Sequence, residues 1–415
     1  MRMVLECIEW IFHTWNDYIQ RRKVGYIPKE IVFEILSRLP ADEVLKCQRV
    51  SKEWKEIIVH SPLFSQTQLS RASPIILVQY VCPFLGAGKM QLYFLDEGAK
   101  KKDKMMENVY TKPTLSVLKV LCILIFSYNG FLIFDEHIAW NHTSEFFIYN
   151  PITREEVAIR KPVKRGGRVC GMYLHPSTGD YRFIYCIFGE NGVGRHKYVI
   201  GCRGGGNVKW REVCSLRYTP SFPAAPVILN DIIYWVVNKT KAIKTQSYPS
   251  VCAASVLTFD TETEELRVMP HPGRTCTNSN SCQLYDTENI QLLEMENKLV
   301  FCHQSWKCIR IWMLEDPIEW HWVMRYSVSF HWVSRYFKGI SARREVKLLR
   351  IRDGELLLCW YTTGLFLYHL ELHTVRKLDL GIKKTGPYGT YTCDSFAYCN
   401  FASYTKSLES WTKHA

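Results

Sequence analysis

The stretch Val227-Ile228-Leu229-Asn230-Asp231-Ile232-Ile233-Tyr234-Trp235 places a polar two-residue turn between two apolar runs. Short apolar runs on both sides of such a turn are typical of a β-hairpin. The same pattern, a polar turn followed at once by an apolar strand, recurs at Asn129-Gly130, Glu296-Asn297 and Asp353-Gly354. We therefore predict that the chain beyond Leu69 consists of repeated β-hairpins.

A second pattern is an apolar strand that ends in a polar turn. Its clearest copies are Phe146–Thr153 and Val256–Thr263, and its weaker copies are Ile309–Asp316 and Leu365–Leu370. The spacing of these copies indicates a repeat of about 50 residues with several strands, which is typical of propeller blades. We predict six blades, at residues 74–110, 117–160, 168–214, 225–270, 290–325 and 345–380, with a closing strand within 388–401.

The region before the β repeats has helical periodicity. One predicted helix follows Ile27-Pro28 and ends at Pro40, a second follows the N-cap Asp42, and a third follows the N-cap Ser51. A unit of about 40 residues is too small to bury a sufficient core by itself. It should therefore pack against the following domain or against a partner.

Three motifs of this helical region resemble an F-box. They are Ile27-Pro28-Lys29-Glu30-Ile31-Val32-Phe33-Glu34-Ile35-Leu36-Ser37-Arg38-Leu39-Pro40, Val50-Ser51-Lys52-Glu53-Trp54 and Ser61-Pro62-Leu63-Phe64. The resemblance implies docking on a Skp-type adaptor, which links the F-box to a cullin and a RING-bound ubiquitin-conjugating enzyme.

The resemblance also implies which side chains contact the adaptor. The candidates are Ile27, Pro28, Ile31, Ile35, Leu36, Leu39, Pro40 and Leu45. For each of them the alternative is a place in the internal core of the unit. Val50, Trp54 and Ile57 are expected to hold the three helices together.

The β region resembles the F-box-associated domain of a large group of plant-type proteins. The matching segments include Ser127–Phe131, Tyr149–Thr153, Trp210–Val213, Val227–Trp235, Leu257–Asp260 and Ile311–Asp316. The resemblance implies a kelch-like module that recruits a substrate and has no chemistry of its own. The expected fold is thus an α+β multidomain chain, with a small three-helix F-box followed by an all-β, propeller-like domain.

These patterns divide the chain into four parts. Residues 1–25 form a predicted amphipathic helix, 26–66 the F-box, 67–401 the β domain and 402–415 a C-terminal tail. The N-terminal helix would pack on a neighbour, with a membrane-surface helix as the alternative. Leu115–Phe134 is apolar, but Lys119 and Asn129-Gly130 interrupt it, so it predicts two hairpin strands and no membrane span.

Charge and cysteine content narrow the functional classes. The 53 Lys and Arg outnumber the 40 Asp and Glu, for a formal net charge of +13, which favours acidic partners or polyanions. The 16 cysteines contain no Cys-x-x-Cys pair, and Glu6 and Glu9 interrupt any export signal. We expect reduced thiols, no metal and an intracellular protein in the nucleus, the cytoplasm or both.

No motif predicts catalysis or a cofactor. Gly204-Gly205-Gly206 lacks the Gly-Lys-Ser/Thr of a phosphate-binding loop and is expected to be a hairpin loop. His321 and His331 lie among tryptophans and are expected to be packed or surface side chains. We therefore predict no catalytic, cofactor-binding or metal-binding residues.

Two basic clusters could recognise a partner. They are Arg160, Lys161, Lys164, Arg165 and Arg168, and then Arg335, Lys338, Arg343, Arg344 and Lys347. Solvated loops, an acidic-partner patch and a nuclear-import signal remain open for them, whereas nucleic-acid binding is not favoured. Specificity usually lies in loops, and the candidate loops for target binding are 97–108, 160–168, 201–209, 238–250 and 271–288.

The sequence thus predicts a substrate-recruiting adaptor subunit of a SKP–cullin–F-box ubiquitin ligase, with an unknown protein as its target. The alternative is a stand-alone β-propeller scaffold or polyanion binder without a ligase role.

Overall fold

The structure is a computed structural model, and the residues that it describes are 27–81, 90–95, 106–110, 122–136, 144–189, 194–204, 207–222, 224–238, 255–272, 290–305, 308–330, 346–360, 364–378, 383–386, 389–392 and 399–411. They form two compact units. The first comprises residues 27–73 together with Lys406–Glu409, and the second comprises the described residues between Pro74 and Thr405 together with 410 and 411. The predicted N-terminal helix, residues 1–25, lies outside the described residues.

The first unit contains four short helices among its described residues. They are α1 Lys29–Ser37, α2 Ala41–Cys47, α3 Lys52–His60 and α4 Pro62–Arg71. The three predicted helices are confirmed, and α4 is one more than the sequence predicted. The predicted N-cap Asp42 is wrong, because α2 begins at Ala41 after Pro40 and Asp42 lies in its first turn.

The second unit is an all-β propeller of six four-stranded antiparallel sheets, which confirms the predicted fold class and the six predicted blades. Blade 1 contains β1 Ile75–Val81, β2 Met90–Leu95, β3 Met106–Tyr110 and β26 Cys399–Tyr404; blade 2 contains β4 Cys122–Tyr128, β5 Phe131–Glu136, β6 Glu145–Asn150 and β7 Glu155–Arg160; blade 3 contains β8 Gly167–Leu174, β9 Tyr181–Ile187, β10 His196–Gly204 and β11 Asn207–Leu216. Blade 4 contains β12 Val227–Leu229, β13 Ile232–Val236, β14 Val256–Asp260 and β15 Leu266–Met269; blade 5 contains β16 Ile290–Met295, β17 Lys298–Gln304, β18 Cys308–Asp316 and β19 His321–Ser329; blade 6 contains β20 Val346–Arg352, β21 Glu355–Trp360, β22 Gly364–His369 and β23 Val375–Leu378. A separate two-stranded hairpin, β24 Lys383–Gly386 and β25 Gly389–Thr392, precedes β26.

The innermost strands of neighbouring blades lie against each other. Strand β4 contacts β8 and β26, and β20 contacts β16 and β26. Buried apolar side chains then fill the space between adjacent sheets. One such cluster joins blades 5 and 6 through Ile311 and Leu356, and another joins blades 1 and 2 through Leu77 and Leu132. Each blade therefore covers an apolar face of the next.

The hairpin turns between first and second strands explain the first sequence pattern. Asn129 and Gly130 have φ angles of 47° and 83°, and Asn230 and Asp231 have 50° and 60°. Glu296-Asn297 and Asp353-Gly354 have the same positive φ angles at both positions. Two consecutive left-handed residues form the tight turn whose twist matches paired strands. The hairpin predicted within Leu115–Phe134 is likewise confirmed, because β4 pairs with β5 across Asn129-Gly130.

The turns between third and fourth strands explain the second pattern. The Asp260 carboxylate accepts hydrogen bonds from the backbone N–H groups of Glu262 and Thr263, both at 2.9 Å. Asn150 and Asp316 cap equivalent turns in the same way. An acidic or amide side chain at this place replaces a backbone acceptor and starts the turn.

These connections give the propeller two different faces. The turn face carries the short turns between first and second and between third and fourth strands. The loop face carries the connections between second and third strands and those that lead to the next blade. The paired residues Ile75 and Tyr404 lie at the turn face, since they occupy the place of a first-to-second turn in blade 1.

The ring closes in blade 1, where the last strand pairs with the first. Strand β26 runs antiparallel to β1 and supplies the innermost strand of that blade. The fully buried Gln79 fastens this joint, because its amide nitrogen donates to the Cys122 carbonyl and its oxygen accepts from the Leu124 N–H, both at 2.8 Å. The Asn400 amide donates to the same oxygen at 3.0 Å. One side chain thus connects β1, β26 and β4.

The segment predicted as a C-terminal tail takes part in this unit. Residues 402–404 belong to β26, and Trp411 is only 5% exposed. The Trp411 ring packs on Phe183 with centroids 5.3 Å apart, and the backbone N–H of Trp411 donates to the Glu155 carboxylate at 3.0 Å. The boundary between domain and tail therefore lies beyond the predicted residue 402.

A carboxylate bridge connects blades 3 and 4 at the turn face. Glu264 accepts hydrogen bonds from the Tyr173 hydroxyl at 2.7 Å and from the Arg182 guanidinium at 2.6 Å, and Arg211 donates to its other oxygen. Burial raises the pKa of Glu264, but the hydrogen bonds from Tyr173, Arg211 and Arg182 outweigh it, so the net pKa is lowered.

This bridge predicts a loss of stability in acid. Because the pKa of Glu264 is depressed in the folded state, its contribution is present above the ordinary value of 4.5 and is lost as the pH falls through the folded pKa. Glu264→Gln should cost about 1–2 kcal/mol at neutral pH. The variant and the wild type should converge as the pH is lowered below 4.5, which acid-dependent urea denaturation measures; equal differences at all pH values would contradict the role of the charge.

The closing joint gives a second prediction. Gln79→Leu leaves the buried Leu124 N–H and Cys122 carbonyl without their partner, which should lower the free energy of unfolding by about 2–4 kcal/mol. Gln291→Leu is the graded control, since Gln291 makes one comparable bond, from the Leu348 N–H at 2.9 Å between blades 5 and 6. Urea unfolding should rank wild type, Gln291→Leu and Gln79→Leu in that order of decreasing stability; the reverse ranking would assign ring closure to other contacts.

Candidate protein-binding surface

The helices of the first unit are shaped by two serine caps. The Ser51 hydroxyl accepts from the Trp54 N–H at 3.1 Å, and the Ser61 hydroxyl accepts from the Phe64 N–H at 3.2 Å. Ser61 also ends α3, and Pro62 occupies the first turn of α4, where its missing N–H is tolerated. Helix α4 could not be predicted from apolar periodicity, because its residues are mostly polar.

A small core holds these helices together. Its fully buried apolar members are Val32, Leu36, Ala41, Val44, Ile58 and Phe64. The Phe33 and Phe64 rings meet edge to face, with centroids 5.3 Å apart. This core contains members of all four helices.

A polar clamp fixes α1 against α4. The Glu34 carboxylate accepts from Arg38 Nε at 2.9 Å and from Arg71 Nη2 at 3.1 Å, and Arg71 also donates to the Ser37 hydroxyl. Hydrogen bonds from Arg38 and Arg71 lower the pKa of Glu34 below its ordinary value. The clamp is largely exposed, so it adds little to the burial of Val32 and Leu36, which orients α1.

Helix α1 is apolar on two adjacent sides. Val32 and Leu36, four residues apart, are 2% and 0% exposed and form the inner side. Ile31 and Ile35, also four residues apart, form the second side; Ile31 is 46% exposed and Ile35 is half-buried. An exposed isoleucine row on a folded helix is an apolar surface that the core of the unit does not use.

The structure separates the predicted contact residues into two groups. Leu36 is fully buried, so it belongs to the core of the unit. The others are half-buried or exposed, and they are Ile27, Pro28, Ile31, Ile35, Leu39, Pro40 and Leu45. Their contact with an adaptor stays a prediction.

Val50 was expected in the core of the helical unit, and this expectation is wrong. Val50 is 64% exposed and does not hold the helices together, because it follows the end of α2 and precedes the cap of α3. Trp54 and Ile57 are half-buried, and the buried member of α3 is Ile58. Leu63 on α4 is a further exposed apolar residue, at 66%.

The predicted target loops do not all belong to one face of the propeller. Residues 160–168 connect blades 2 and 3 at the loop face, and the strand ends that flank 238–250 and 271–288 point to the same face. The strand ends that flank 97–108 and 201–209 point to the turn face. Much of these loops lies outside the described residues, namely 97–105, 205–206, 239–250 and 273–288.

The structure describes all of the first predicted basic cluster but only one residue of the second. Residues 160–168 are fully described, whereas Arg335, Lys338, Arg343 and Arg344 lie outside the described residues. Lys347 lies within strand β20, and burial lowers the pKa of its amine. Lys347 is therefore a strand residue with a desolvated amine and not part of a solvated basic loop.

Gly204 and His321, which belong to the features considered for chemistry, lie in strands. Gly204 of β10 pairs with Asn207 of β11, while Gly205 and Gly206 lie outside the described residues. His321 begins β19 and is exposed, while His331 lies outside the described residues. In the described part of the chain, no three His, Cys, Asp or Glu side chains are grouped so that they could hold a metal ion.

The described cysteines are free thiols, and several are deeply buried. Burial raises the pKa of Cys170 and Cys302, and raises the pKa of Cys186 to about 12. Such thiols stay protonated and are poor nucleophiles. Among the described helices, none is long and apolar enough to cross a membrane.

Comparison with known proteins agrees with this geometry. Residues 24–67 match the family model described as F-box-like, and residues 86–398 match the model of the F-box associated beta propeller domain. The chain is 24% identical to F-box protein At1g30790 of Arabidopsis thaliana, over 87% of the chain and 91% of that protein. It is 19% identical to F-box protein At3g07870 of the same plant, over 59% of the chain and 60% of that protein.

Solved structures give only a distant likeness. A putative 6-phosphogluconolactonase from Bacteroides fragilis has a TM-score of 0.39 and 8% identity, with 79% of this chain and 98% of that chain covered. A likeness of this size carries no argument about function.

The two sides of α1 give a prediction about stability. Leu36→Ala removes buried volume and should destabilise the helical unit by about 2–5 kcal/mol. Ile31→Ala removes an exposed side chain and should change its stability by less than about 1 kcal/mol. Hydrogen exchange of peptides from residues 27–71 in the full chain measures both; equal effects would mean that Ile31 belongs to the core.

Proposed function

The chain belongs to the family of proteins with an F-box-associated β-propeller domain, and from this we propose that it is the substrate-recruiting adaptor subunit of a SKP–cullin–F-box ubiquitin ligase. In this role the helical unit binds a Skp-type adaptor, and through it a cullin. The propeller binds a target protein. The matches of residues 24–67 and 86–398 to the two family models support both halves of the proposal.

The observation that carries the adaptor contact is the second apolar side of α1. Ile31 is 46% exposed although Val32 and Leu36 beside it are buried. Covering such a side chain with a partner contributes about 25 cal/mol per Å² of apolar area removed from water. The flanking prolines Pro28 and Pro40 are exposed as well, so the surface continues past both ends of the helix.

The proposed role needs no catalytic group in this chain. A target lysine held near a ubiquitin thioester reacts faster because its effective concentration is raised. In this role the propeller only binds and orients the target. Its loop face supports this role, since the longer connections between strands lie there and loops on a rigid scaffold commonly carry specificity.

We place the protein inside the cell, in the nucleus, the cytoplasm or both. The free thiols of the described cysteines support a reducing compartment.

A stand-alone scaffold or polyanion binder is the second candidate, and the net charge of +13 favours it. The two candidates differ in what they require of α1. A ligase adaptor needs the exposed Ile31 and the half-buried Ile35, whereas a polyanion binder needs only its basic surface.

Co-purification with a Skp-type adaptor tests the proposal. The wild-type chain, co-expressed with the adaptor, should retain it through purification, and Ile31→Asp should weaken retention about tenfold or more because a charge would be buried at the contact. Leu36→Asp is unsuitable, since a charge in the core would unfold the unit.

Ile318→Asp is the matched control. Ile318 is 90% exposed and lies in the propeller, so the same substitution there should leave adaptor retention unchanged. Failure of the wild-type chain to retain the adaptor would refute the ligase role.

A further inference from the structure

One edge of blade 3 gathers basic side chains from several strands. Gly167 of β8 pairs with Ile187 of β9, Ile187 with Lys197 of β10, and Lys197 with Ser215 of β11. These four residues form a row across the sheet at its loop-face edge. With strands about 4.8 Å apart, the row is about 14 Å wide.

Basic residues lie within a few positions of every part of this row except β9. Lys164, Arg165 and Arg168 adjoin its β8 end, Arg195 precedes β10, and Arg217 follows β11. We call these five residues the basic edge. All are exposed except Arg168, which is half-buried.

The acidic residues described nearby already have basic counterparts. Lys161 and Asp135 form an ion pair of 2.6 Å, with side chains only 8% and 3% exposed. Lys197 and Glu212 pair at 3.0 Å, and Glu145 is the strand partner of Arg160. No residue of the basic edge forms an ion pair with another described residue.

The basic edge is held in place by its surroundings. Gly166 has a φ of +76°, and a side chain on Gly167 would meet the Tyr185 ring at 2.4 Å, so both glycines are needed for this path of the chain. The Phe188 N–H donates to the Gly166 carbonyl at 2.5 Å. Arg168 lies over the Phe222 ring at 5.0 Å, and Arg195 donates to the Ser215 hydroxyl at 3.3 Å. Groups ordered before binding lose less entropy when a ligand arrives.

We propose that the basic edge binds a carboxylate-rich acidic segment of the target protein, an inference that rests on the proposed function of the propeller as the target-binding domain. Four of its five members are arginines, whose planar guanidinium groups match carboxylates with two parallel hydrogen bonds. An extended peptide rises about 3.3 Å per residue, so about four or five residues cover the row.

The structure favours this ligand over the other readings of residues 160–168. The run is not a free stretch of basic residues, because Lys161 is buried on Asp135 and Arg168 is engaged with Phe222. Phe222 also packs edge-on against Phe188, at 6.1 Å, so its ring is occupied by the protein itself. Sequence-independent binding of single-stranded nucleic acid needs aromatic faces on which bases can stack.

The test uses the full-length chain and a fluorescent peptide of alternating Glu and Ser, with a peptide of alternating Gln and Ser as the neutral probe. Wild type should bind the Glu peptide at least about tenfold more tightly than the Gln peptide, and less tightly as salt is raised. R165E/R217E should lower the affinity for the Glu peptide about tenfold or more, and R165Q/R217Q should lower it by less.

R310E/R376E is the matched control for charge. Arg310 and Arg376 are exposed, and neither takes part in a recorded ion pair within the described residues, so this variant changes the net charge by the same amount at other blades. It should keep the wild-type affinity. An equal loss in both variants would overturn the proposal, because it would leave only the overall charge of the chain.

Two further outcomes would also overturn it. One is equal binding of the Glu and Gln peptides by wild type. The other is a single-stranded oligonucleotide that binds more tightly than the Glu peptide and displaces it, which would assign the edge to nucleic acid. Adaptor retention is measured on the same variants and should be unchanged in R165E/R217E. A wild type that binds the Glu peptide but retains no adaptor would refute the ligase role and leave the acidic-peptide site standing.

Discussion

The propeller depends on one antiparallel pairing, that of β26 with β1. Each blade buries apolar side chains against the next, so an open ring would leave two apolar sheet faces and the unpaired edges of β1 and β26 in water. The pairing removes both at once, and it joins the two ends of the domain in a single sheet. Gln79 strengthens this joint because its amide satisfies backbone groups of the neighbouring innermost strand. The other five blades are built from consecutive segments, and only blade 1 requires distant parts of the chain.

The sequence revealed those parts of the fold that are encoded locally. Turns such as Asn230-Asp231 need left-handed residues, and caps such as Asp260 need a short acceptor side chain, so each leaves a trace in a few adjacent letters. Their spacing was enough to predict six blades. The bridge at Glu264 was not predictable, because Tyr173 and Arg182 come from a different blade and no short pattern connects them. Trp411 was missed for the same reason, since its partners lie far away in the sequence.

The helical unit shows a different limit of sequence reasoning. Ile31, Val32, Ile35 and Leu36 are similar letters in one helix, and the resemblance to an F-box assigned Ile31, Ile35 and Leu36 alike to the adaptor contact. The burial of Val32 and Leu36 orients the helix, and part of the core that they join, Phe64, comes from α4, which lacked an apolar pattern. Leu36 is therefore buried and Ile31 exposed, although the sequence motif does not distinguish them. Val50 was misjudged because an apolar residue in a connection resembles a core residue until its exposure is known.

The order of strands has a consequence for synthesis on the ribosome. Helices α1 to α4 are made before the strands of the propeller, yet Lys406, whose amine lies 3.3 Å from the Asp42 carboxylate in the first unit, is made after those strands. The innermost strand of blade 1 also leaves the ribosome after every other strand of the described residues. A nascent chain therefore carries an incomplete ring and an incomplete helical unit until residues 399–406 have been made. Any product that stops before residue 399 keeps an open strand edge for its whole lifetime, so chaperones and proteases can distinguish it from the finished protein.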